Sequence, residues 1–418
     1  MSRYAVPYSP RGTIYGEVEL EELRRLLLDN RLSLSSGEER VCFEEEFQRL
    51  SGASYAVSVS SCTVGLELAA YIANLEPGCA VIVTPQTYQA TLNPLLGLPI
   101  EVRFCDIECN SLCLDPNKLS DLICPKVRAI FVTHYGGLCA EMGPIMSLAE
   151  KHNICVIEDC AHALGSKYRG RWPGTFGDIG VFSFQSMKNI STLGQGGMML
   201  VKRADWAERL RRLRDVEPDA EFAPCKAPPD FARKGIPERD LNRHAKNAYT
   251  HDCLRILRAG TNSTLSEPAA AIGRVQLKRL DSLVSRRRAV AACLEAGLCD
   301  LPGVRLQREP HDQYHSHHLY TFFVDPAAGL NRDAIATKID DAGVEIHLRY
   351  FPLHLLPEWR CAATTYKSCP VAEEVWFNQQ INLPIYPSLT DQQVDTMINA
   401  VRMAILTSVA TNSCAYSS

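Results

Sequence analysis

Lys188 stands where a lysine can do covalent chemistry. It closes the run Asp178-Ile-Gly-Val-Phe-Ser-Phe-Gln-Ser-Met-Lys188-Asn189, and Gly194-Gln-Gly-Gly197 follows. Upstream, the apolar run Ile154-Cys-Val-Ile157 ends in Glu158-Asp159-Cys-Ala-His162. One buried strand ending in an acid, and another ending near a lysine bounded by glycines, supply what pyridoxal phosphate needs. The amine forms a Schiff base with the cofactor aldehyde, and the carboxylate keeps the pyridine nitrogen protonated. A lone lysine after a strand is more often a surface residue, so its neighbours decide between the two.

Ser60-Ser61-Cys62-Thr63 lies between a strand and a helix. Helix N-termini carry unpaired N–H groups and partial positive charge, which favour a phosphate. The hydroxyls of Ser61 and Thr63 add donors, although Ser or Thr at a helix start is commonly just a cap. Ser183 offers another hydroxyl at the end of its own strand. At the ring end, Asp159 terminates a buried strand, where a carboxylate is costly unless paired. A pyridinium N–H is a suitable partner, and the alternative is a helix cap. His162 can bond or pack near the ring oxygen, and Tyr88 follows a strand end and can stack on the ring. A structural histidine and a core aromatic are the plainer alternatives.

The elements that must hold these residues alternate. Residues 12–50 read as helical and polar. Strands are expected at Tyr55–Val59, Ala80–Val83, Glu101–Phe104, Ala129–Val132, 154–157, 179–184 and 198–201. Helices are expected at 63–75, from about Tyr88, near 116–123 and over 141–152. Short apolar strands alternating with helices predict an α/β fold with a large, mostly parallel sheet covered on both faces. Residues 215–250, rich in Pro and charge, read as an insertion. A long helix over about 268–297 leads to a small C-terminal α+β unit. Its strands are expected near 303–307, 318–325 and 344–350, and its helices near 331–342 and 390–406. Thr390 with Gln393 forms a capping box, and Ala410 to Ser418 should fray. The division is therefore 1–265 and 266–418.

The 418 residues suffice for two or three packed units. Hydrophobic residues make up 46% and charged residues 22%, as in ordinary globular proteins. A net charge of −4 gives no reason to expect a nucleic-acid partner. No apolar run is long enough to span a membrane. No secretory pattern is present, so the expected location is the cytoplasm. The 17 cysteines are scattered without a Cys-x-x-Cys pair, which favours buried reduced thiols and no metal site. His311, His315, His317 and His318 form a tract that could bind metal. It leads into a strand, and a structural or substrate-edge role is favoured.

Together these residues resemble the DegT/DnrJ/StrS family of aminotransferases for sugars or cyclitols, of the aspartate-aminotransferase fold type (fold type I). The resemblance covers residues 12–406. It is carried by Phe43-Glu44, Tyr55 to Thr63, Thr87-Tyr88-Gln-Ala-Thr91, Val156 to Ala163, Gly177 to Phe184, Lys188 with Gly194-Gln-Gly-Gly197, Ala270 to Leu277, Tyr350-Phe-Pro-Leu-His354 and Leu383 to Pro387. It implies that Lys188 holds pyridoxal phosphate and shuttles a proton. Asp159 would pair with the ring nitrogen, His162 would lie by the ring and Tyr88 would stack on it. Ser61, Cys62, Thr63 and Ser183 would surround the phosphate. Asn262 matches an asparagine that reaches the other subunit's cofactor, which implies a homodimer with shared sites. Departures are Cys62 for Gly, Gln185 for His, Gln195 for Glu and Thr264 for Arg. Gln185 is the form found in members that aminate cyclitols.

The implied reaction moves an amino group from Glu or Gln to a keto sugar, free or nucleotide-linked, or to a keto cyclitol. It would serve amino-sugar or natural-product biosynthesis, antibiotics included. In the insertion, Lys226, Arg233, Lys234, Arg239 and Arg243 could meet a diphosphate, or simply be solvated. Related dehydratases carry His in place of the lysine, which Lys188 argues against. A cofactor-binding regulator without turnover is the other alternative, and no helix-turn-helix pattern supports it.

Overall fold

The computed structural model describes residues 3–216, 219–222, 254–360, 364–365 and 368–415. Its helices are α1 (Glu17–Leu28), α2 (Glu38–Ser51), α3 (Cys62–Ile72), α4 (Pro116–Leu119), α5 (Met142–His152), α6 (Ala204–Arg214), α7 (Glu267–Lys278), α8 (Leu280–Leu298), α9 (Arg332–Asp341), α10 (Pro370–Glu374) and α11 (Asp391–Ala415). Eight strands form the main sheet: β1 (Tyr55–Val59), β2 (Ala80–Val83), β3 (Glu101–Phe104), β4 (Val127–Thr133), β5 (Cys155–Asp159), β7 (Ile179–Ser183), β8 (Gly197–Val201) and β14 (Thr364–Thr365). A three-stranded antiparallel sheet contains β11 (Val304–Leu306), β13 (Tyr320–Val324) and β15 (Gln380–Leu383). Two ribbons pair β6 (Lys167–Tyr168) with β12 (Gln313–Tyr314), and β9 (Asp219–Phe222) with β10 (Leu254–Arg258).

The main sheet runs β1-β8-β7-β5-β4-β2-β3-β14. Only β8 runs against the others, as its antiparallel pairing with both β1 and β7 shows. The strands are near-continuous Val, Ile and Phe, buried throughout in β2 and β7. That is the pattern of a sheet covered on both faces. One core lies around this sheet and α3 and α5, and another packs α2 and α7 on the sheet. A third surrounds β13, β15, α8, α9 and α11. Among the described residues no helix is long and apolar enough to cross a membrane.

Several expected elements differ. After Tyr88 there is no α-helix but two 3-10 turns, Gln89–Thr91 and Asn93–Leu95. Pro94 removes a donor there and Gly97 takes φ +78°. The long helix breaks at Arg279, whose ψ of −2° separates α7 from α8. Residues 344–350 form no strand, only the isolated bridges Val6–Val344 and His347–Asn382. The third strand of the small sheet is β15 instead. Its polar Gln380 and Asn382 are buried and hydrogen-bonded, to the Tyr135 hydroxyl at 2.7 Å and the Thr321 hydroxyl at 2.9 Å. Those side chains hide the apolar signature of a strand. The capping box at Thr390 and Gln393 is present, and α11 persists to Ala415 where fraying from Ala410 was expected. The insertion lies outside the described residues apart from 215–216 and 219–222, and so do Lys226, Arg233, Lys234, Arg239 and Arg243.

A glycine contact locks β7 to the loop before it. A Cβ on Gly180 would lie 2.2 Å from the Gly174 Cα and 2.5 Å from its carbonyl oxygen, and backbone cannot swing aside. At Gly16 the nearest atom, in the Glu19 side chain, is 3.8 Å away. Gly180→Ala should cost about 1–3 kcal/mol in denaturant melts, and Gly16→Ala should stay well below that. Equal stability of the two variants would refute the contact.

Candidate active site

Because β1, β2, β4, β5 and β7 run the same way, their carboxyl ends open on one edge. Open α/β sheets bind ligands there. Ser61, Cys62 and Thr63 follow β1, and Tyr88 follows β2. Thr133 ends β4, Asp159 ends β5, Ser183 ends β7 with Lys188 beyond, and Gln195 precedes the reversed β8. All of these line one cleft of about 500 Å³, together with Thr87, His162, Gln185, Met187, His318, Arg349 and Tyr350. The fold thus gathers every expected site residue except Asn262. Asn262 has φ +49° and donates its backbone N–H to the Asp215 carbonyl at 2.8 Å, and it is not in the cleft lining.

Lys188 is half-buried in the cleft, and desolvation brings its pKa down from 10.5 to about 8. Asp159 and Cys62 oppose that shift, and Arg349 adds to it. The lysine loop is held by its own backbone. The Lys188 N–H donates to the Gln185 carbonyl at 2.8 Å, and the Met187 N–H to the Gln185 side-chain oxygen at 2.8 Å. The N-terminal segment lies directly on this loop. The Gly12 N–H donates to the Ser186 carbonyl at 2.7 Å, and a Cβ at Gly12 would sit 2.0 Å from the Met187 carbonyl oxygen. Arg287, fully buried without a carboxylate partner among the described residues, grips the Gly12, His317 and Ile385 carbonyls.

Asp159 is buried and doubly held. The Ala161 N–H donates to one oxygen at 3.0 Å and the Thr91 hydroxyl to the other at 2.6 Å. Thr87 bonds Thr91 at 2.7 Å and accepts from Thr133 at 3.0 Å, so three hydroxyls, two from the segment after β2 and one from the end of β4, form a chain to this acid. His162 is neutral, because burial and then the charges of Lys188 and Arg349 push its pKa well below 6.5. Its Nδ1 accepts from the Gly136 N–H at 3.3 Å, which leaves the proton on Nε2, 3.3 Å from the Tyr350 hydroxyl. Tyr88 is 55% exposed and its ring lies 5.8 Å from that of Tyr350.

Behind Asp159 sits a second acid. Glu158 faces His134 Nε2 at 2.9 Å and accepts the Gly174, Phe176 and Gly177 N–H groups. Burial raises its pKa, but the His134 bond and these donors outweigh burial and hold it below the ordinary value. Cys160 completes a buried trio with these two whose ligating atoms lie within 4.8 Å of one another. Both Glu158 oxygens are already engaged, and His134 Nδ1 accepts from the Ala140 N–H at 3.1 Å. The other histidine tract divides. His315 and His317 stack at 3.9 Å, while His318 stacks on His162 at 4.3 Å and lines the cleft.

At the opposite end, Ser61 caps α3 by accepting from the Val64 N–H at 3.3 Å. A Cβ on Gly197 would meet the Cys62 nitrogen at 2.8 Å, so β8 passes tightly against the first turn of α3. Burial raises the Cys62 thiol well above its usual pKa, so it stays protonated. The cleft therefore has an amine poised near neutrality and a held carboxylate. It also has a capped helix N-terminus flanked by hydroxyls. These residues fit pyridoxal phosphate: an amine for the aldehyde, an acid for the ring nitrogen and donors for the phosphate. Thr91, Thr133 and Arg349 were not singled out in the sequence, while His318, read there as part of a tract with a structural or substrate-edge role, lines the cleft. Thr91 lies inside the block read for Tyr88, and Arg349 directly precedes the block starting at Tyr350.

Fold and site together define a pyridoxal-phosphate aminotransferase of fold type I. The model of the DegT/DnrJ/EryC1/StrS aminotransferase family matches residues 14–402, and the chain belongs to that family. It is 31% identical over 402 residues to the spore coat polysaccharide biosynthesis protein SpsC of Bacillus subtilis, covering 95% of this chain and 96% of SpsC. The solved aminotransferase TlmJ from Streptoalloteichus hindustanus superposes with a TM-score of 0.80 at 29% identity, over 96% of this chain and 99% of TlmJ. DesV of S. venezuelae does so with 0.77 at 30%, over 94% and 98%.

Two outcomes follow from this geometry. Glu158→Gln would turn an amide donor toward N–H groups that need acceptors. It should cost about 1–3 kcal/mol, the penalty of leaving buried donors without acceptors, visible as a lower denaturant midpoint. Attack on an aldehyde needs the neutral Lys188 amine, which is protonated below its pKa. Borohydride-trapped attachment of pyridoxal phosphate to the cofactor-free protein should therefore speed up as pH rises through about 8 and level off above it. A midpoint near 10.5, the unperturbed value, would show that the amine is not desolvated.

Proposed function

We propose that the protein transfers the amino group of Glu or Gln to the ketone carbon of a keto sugar, free or nucleotide-linked, or of a keto cyclitol. The product would enter amino-sugar or natural-product assembly in the cytoplasm. The observation that carries the chemistry is the Lys188 amine, poised near neutrality in one cleft with a doubly hydrogen-bonded Asp159. The sugar class is supported by the 31% identity to SpsC, a polysaccharide biosynthesis protein.

Bound pyridoxal phosphate supplies an electron sink for a carbon next to nitrogen. Lys188 Nζ would hold the cofactor at its aldehyde and, as a free amine, would move a proton at the substrate carbon. Asp159 would keep a proton at the ring nitrogen, with its carboxylate fixed by Thr91 and the Ala161 N–H. Neutral His162, a proton donor at Nε2, would lie by the ring with Tyr350. Tyr88 would stack on the ring. Ser61, Cys62, Thr63 and Ser183 would hold the phosphate. Asn262 would serve the cofactor of a second copy in a homodimer, which suits its place outside its own cleft. The chain divides functionally at 265/266.

Lys188→Ala should lower turnover by at least about a thousandfold while noncovalent cofactor binding persists. Borohydride should fix the cofactor to Lys188 in the unaltered protein and to no residue in the variant. The amino-loaded protein, challenged with keto sugars and inososes, should regain the aldehyde-form absorbance with at least one of them. Multiple turnovers by Lys188→Ala, or no response to any ketose or inosose, would overturn the proposal.

A further inference from the structure

A second cavity, of about 520 Å³, lies between α8 and the chain that follows β11, and none of its residues lines the cofactor cleft. Arg288, Ala292, Glu295 and Cys299 recur at helical spacing along one face of α8 and its cap. Residues 306–309 and His317 complete the lining. Part of it is already committed. Arg288 meets both Glu309 oxygens, at 2.7 and 3.3 Å, and its guanidinium packs 4.0 Å over the Tyr314 ring. Gln307 donates to the Asn110 carbonyl at 2.8 Å and pairs with His315 Nε2 at 3.4 Å. Two polar groups are left over. His317 is 8% exposed and stacks on His315 at 3.9 Å, and neither of its ring nitrogens has a hydrogen bond among the described residues. Burial, helped by the Arg288 and Arg287 charges, brings its pKa down from 6.5 to about 3, so the ring is neutral, with one N–H donor and one nitrogen acceptor. The half-buried Glu295 carboxylate has no ion pair and no hydrogen bond among the described residues. Burial and then the nearby Glu309 raise its pKa, which Arg288 offsets only in part.

Buried polar groups normally find partners, so a cavity edged by an unpartnered imidazole and an unpartnered carboxylate is shaped for a polar guest. The charges decide which guest fits. Arg288 and Glu309 neutralise one another. Arg308 is exposed, and water satisfies it. Glu295 is half-buried, so the uncompensated group is an anion that water reaches poorly, and its natural partner is a cation. The imidazole, with one donor and one acceptor, matches a hydroxyl group. Ala292 and Leu306 offer a small apolar patch to ring carbons. We infer that this cavity is a binding site for an amino-polyol, with the ammonium on Glu295 and a hydroxyl on His317. That such a compound is also the class of product formed in the cleft rests on the function proposed above, whereas the site itself does not.

The test uses the full chain loaded with pyridoxal phosphate and reduced with borohydride, which stops turnover. Titration calorimetry compares glucosamine with glucose, which lacks the amine, and with glucose 6-phosphate, which carries negative charge. Glucosamine should bind at least about tenfold more tightly than either. Glu295→Gln should weaken glucosamine by at least about tenfold, and His317→Asn by at least about threefold. Asparagine accepts the φ of +47° found at His317. Both variants should keep the cofactor content of the unaltered protein. Cys299 reports the place directly, being an exposed thiol of this lining, while Cys293 is an exposed thiol of α8 outside it. Saturating glucosamine should slow iodoacetamide labelling of Cys299 at least about threefold and leave Cys293 unchanged. No glucosamine binding at millimolar concentration, an affinity unchanged by Glu295→Gln, or an unprotected Cys299 at saturation would overturn the site. Tighter binding of glucose 6-phosphate than of glucosamine would overturn the choice of an amine. Binding is read without any ketone, so the site can stand even if no keto sugar or inosose is aminated, and can fall even if one is.

Discussion

An amine kept out of water beside one carboxylate is the constraint on which this molecule turns. A buried ammonium is unfavourable, and a buried carboxylate is equally so without donors. The cleft settles both at once. Lys188 is desolvated enough to lose its proton near neutrality, while Asp159 is fixed by a hydroxyl and a backbone N–H. The sheet supplies this arrangement because one reversed strand, β8, lets the glycine-rich turn double back beside α3 without disturbing the parallel strands. The reactive groups come from ends of different strands and need no long-range distortion to meet.

Around that centre, buried polar groups do more than fill space. Glu158 collects His134 and three backbone donors, and so fastens the 174–177 loop to the strand that ends in Asp159. The Thr133, Thr87 and Thr91 hydroxyls form a chain aimed at the same acid. Four histidines, His162, His315, His317 and His318, are pushed toward neutrality first by burial. Two of them, His162 and His318, line the cleft and lie there beside Lys188 and Arg349 without adding charge.

Much of this was legible in the sequence. Strand after strand was apolar and short, and Lys188, Asp159, Ser61, Cys62, Thr63, Tyr88, His162 and Ser183 meet as their positions after strands implied. What escaped had physical reasons. Strand β15 reads as polar because Gln380 and Asn382 satisfy partners that only the fold provides. The segment 344–350 reads as a strand because Val344, Ile346, Leu348 and Tyr350 alternate with polar residues, yet it bridges only Val6 and Asn382. Thr91 and Arg349 gain meaning from contacts across long sequence separations, with Asp159 and Tyr8 respectively, and no local pattern announces such contacts.

The first residues of the chain belong to the same machinery. Tyr8 stacks on His347 and under Arg349, and Gly12 is wedged between the Met187 carbonyl and the Arg287 guanidinium. For anyone handling the protein this has a practical meaning. An affinity tag or fusion partner joined ahead of Tyr8 pulls on a strap that packs against Arg349 and the lysine loop. Attachment at that end is thus itself a perturbation of the enzyme.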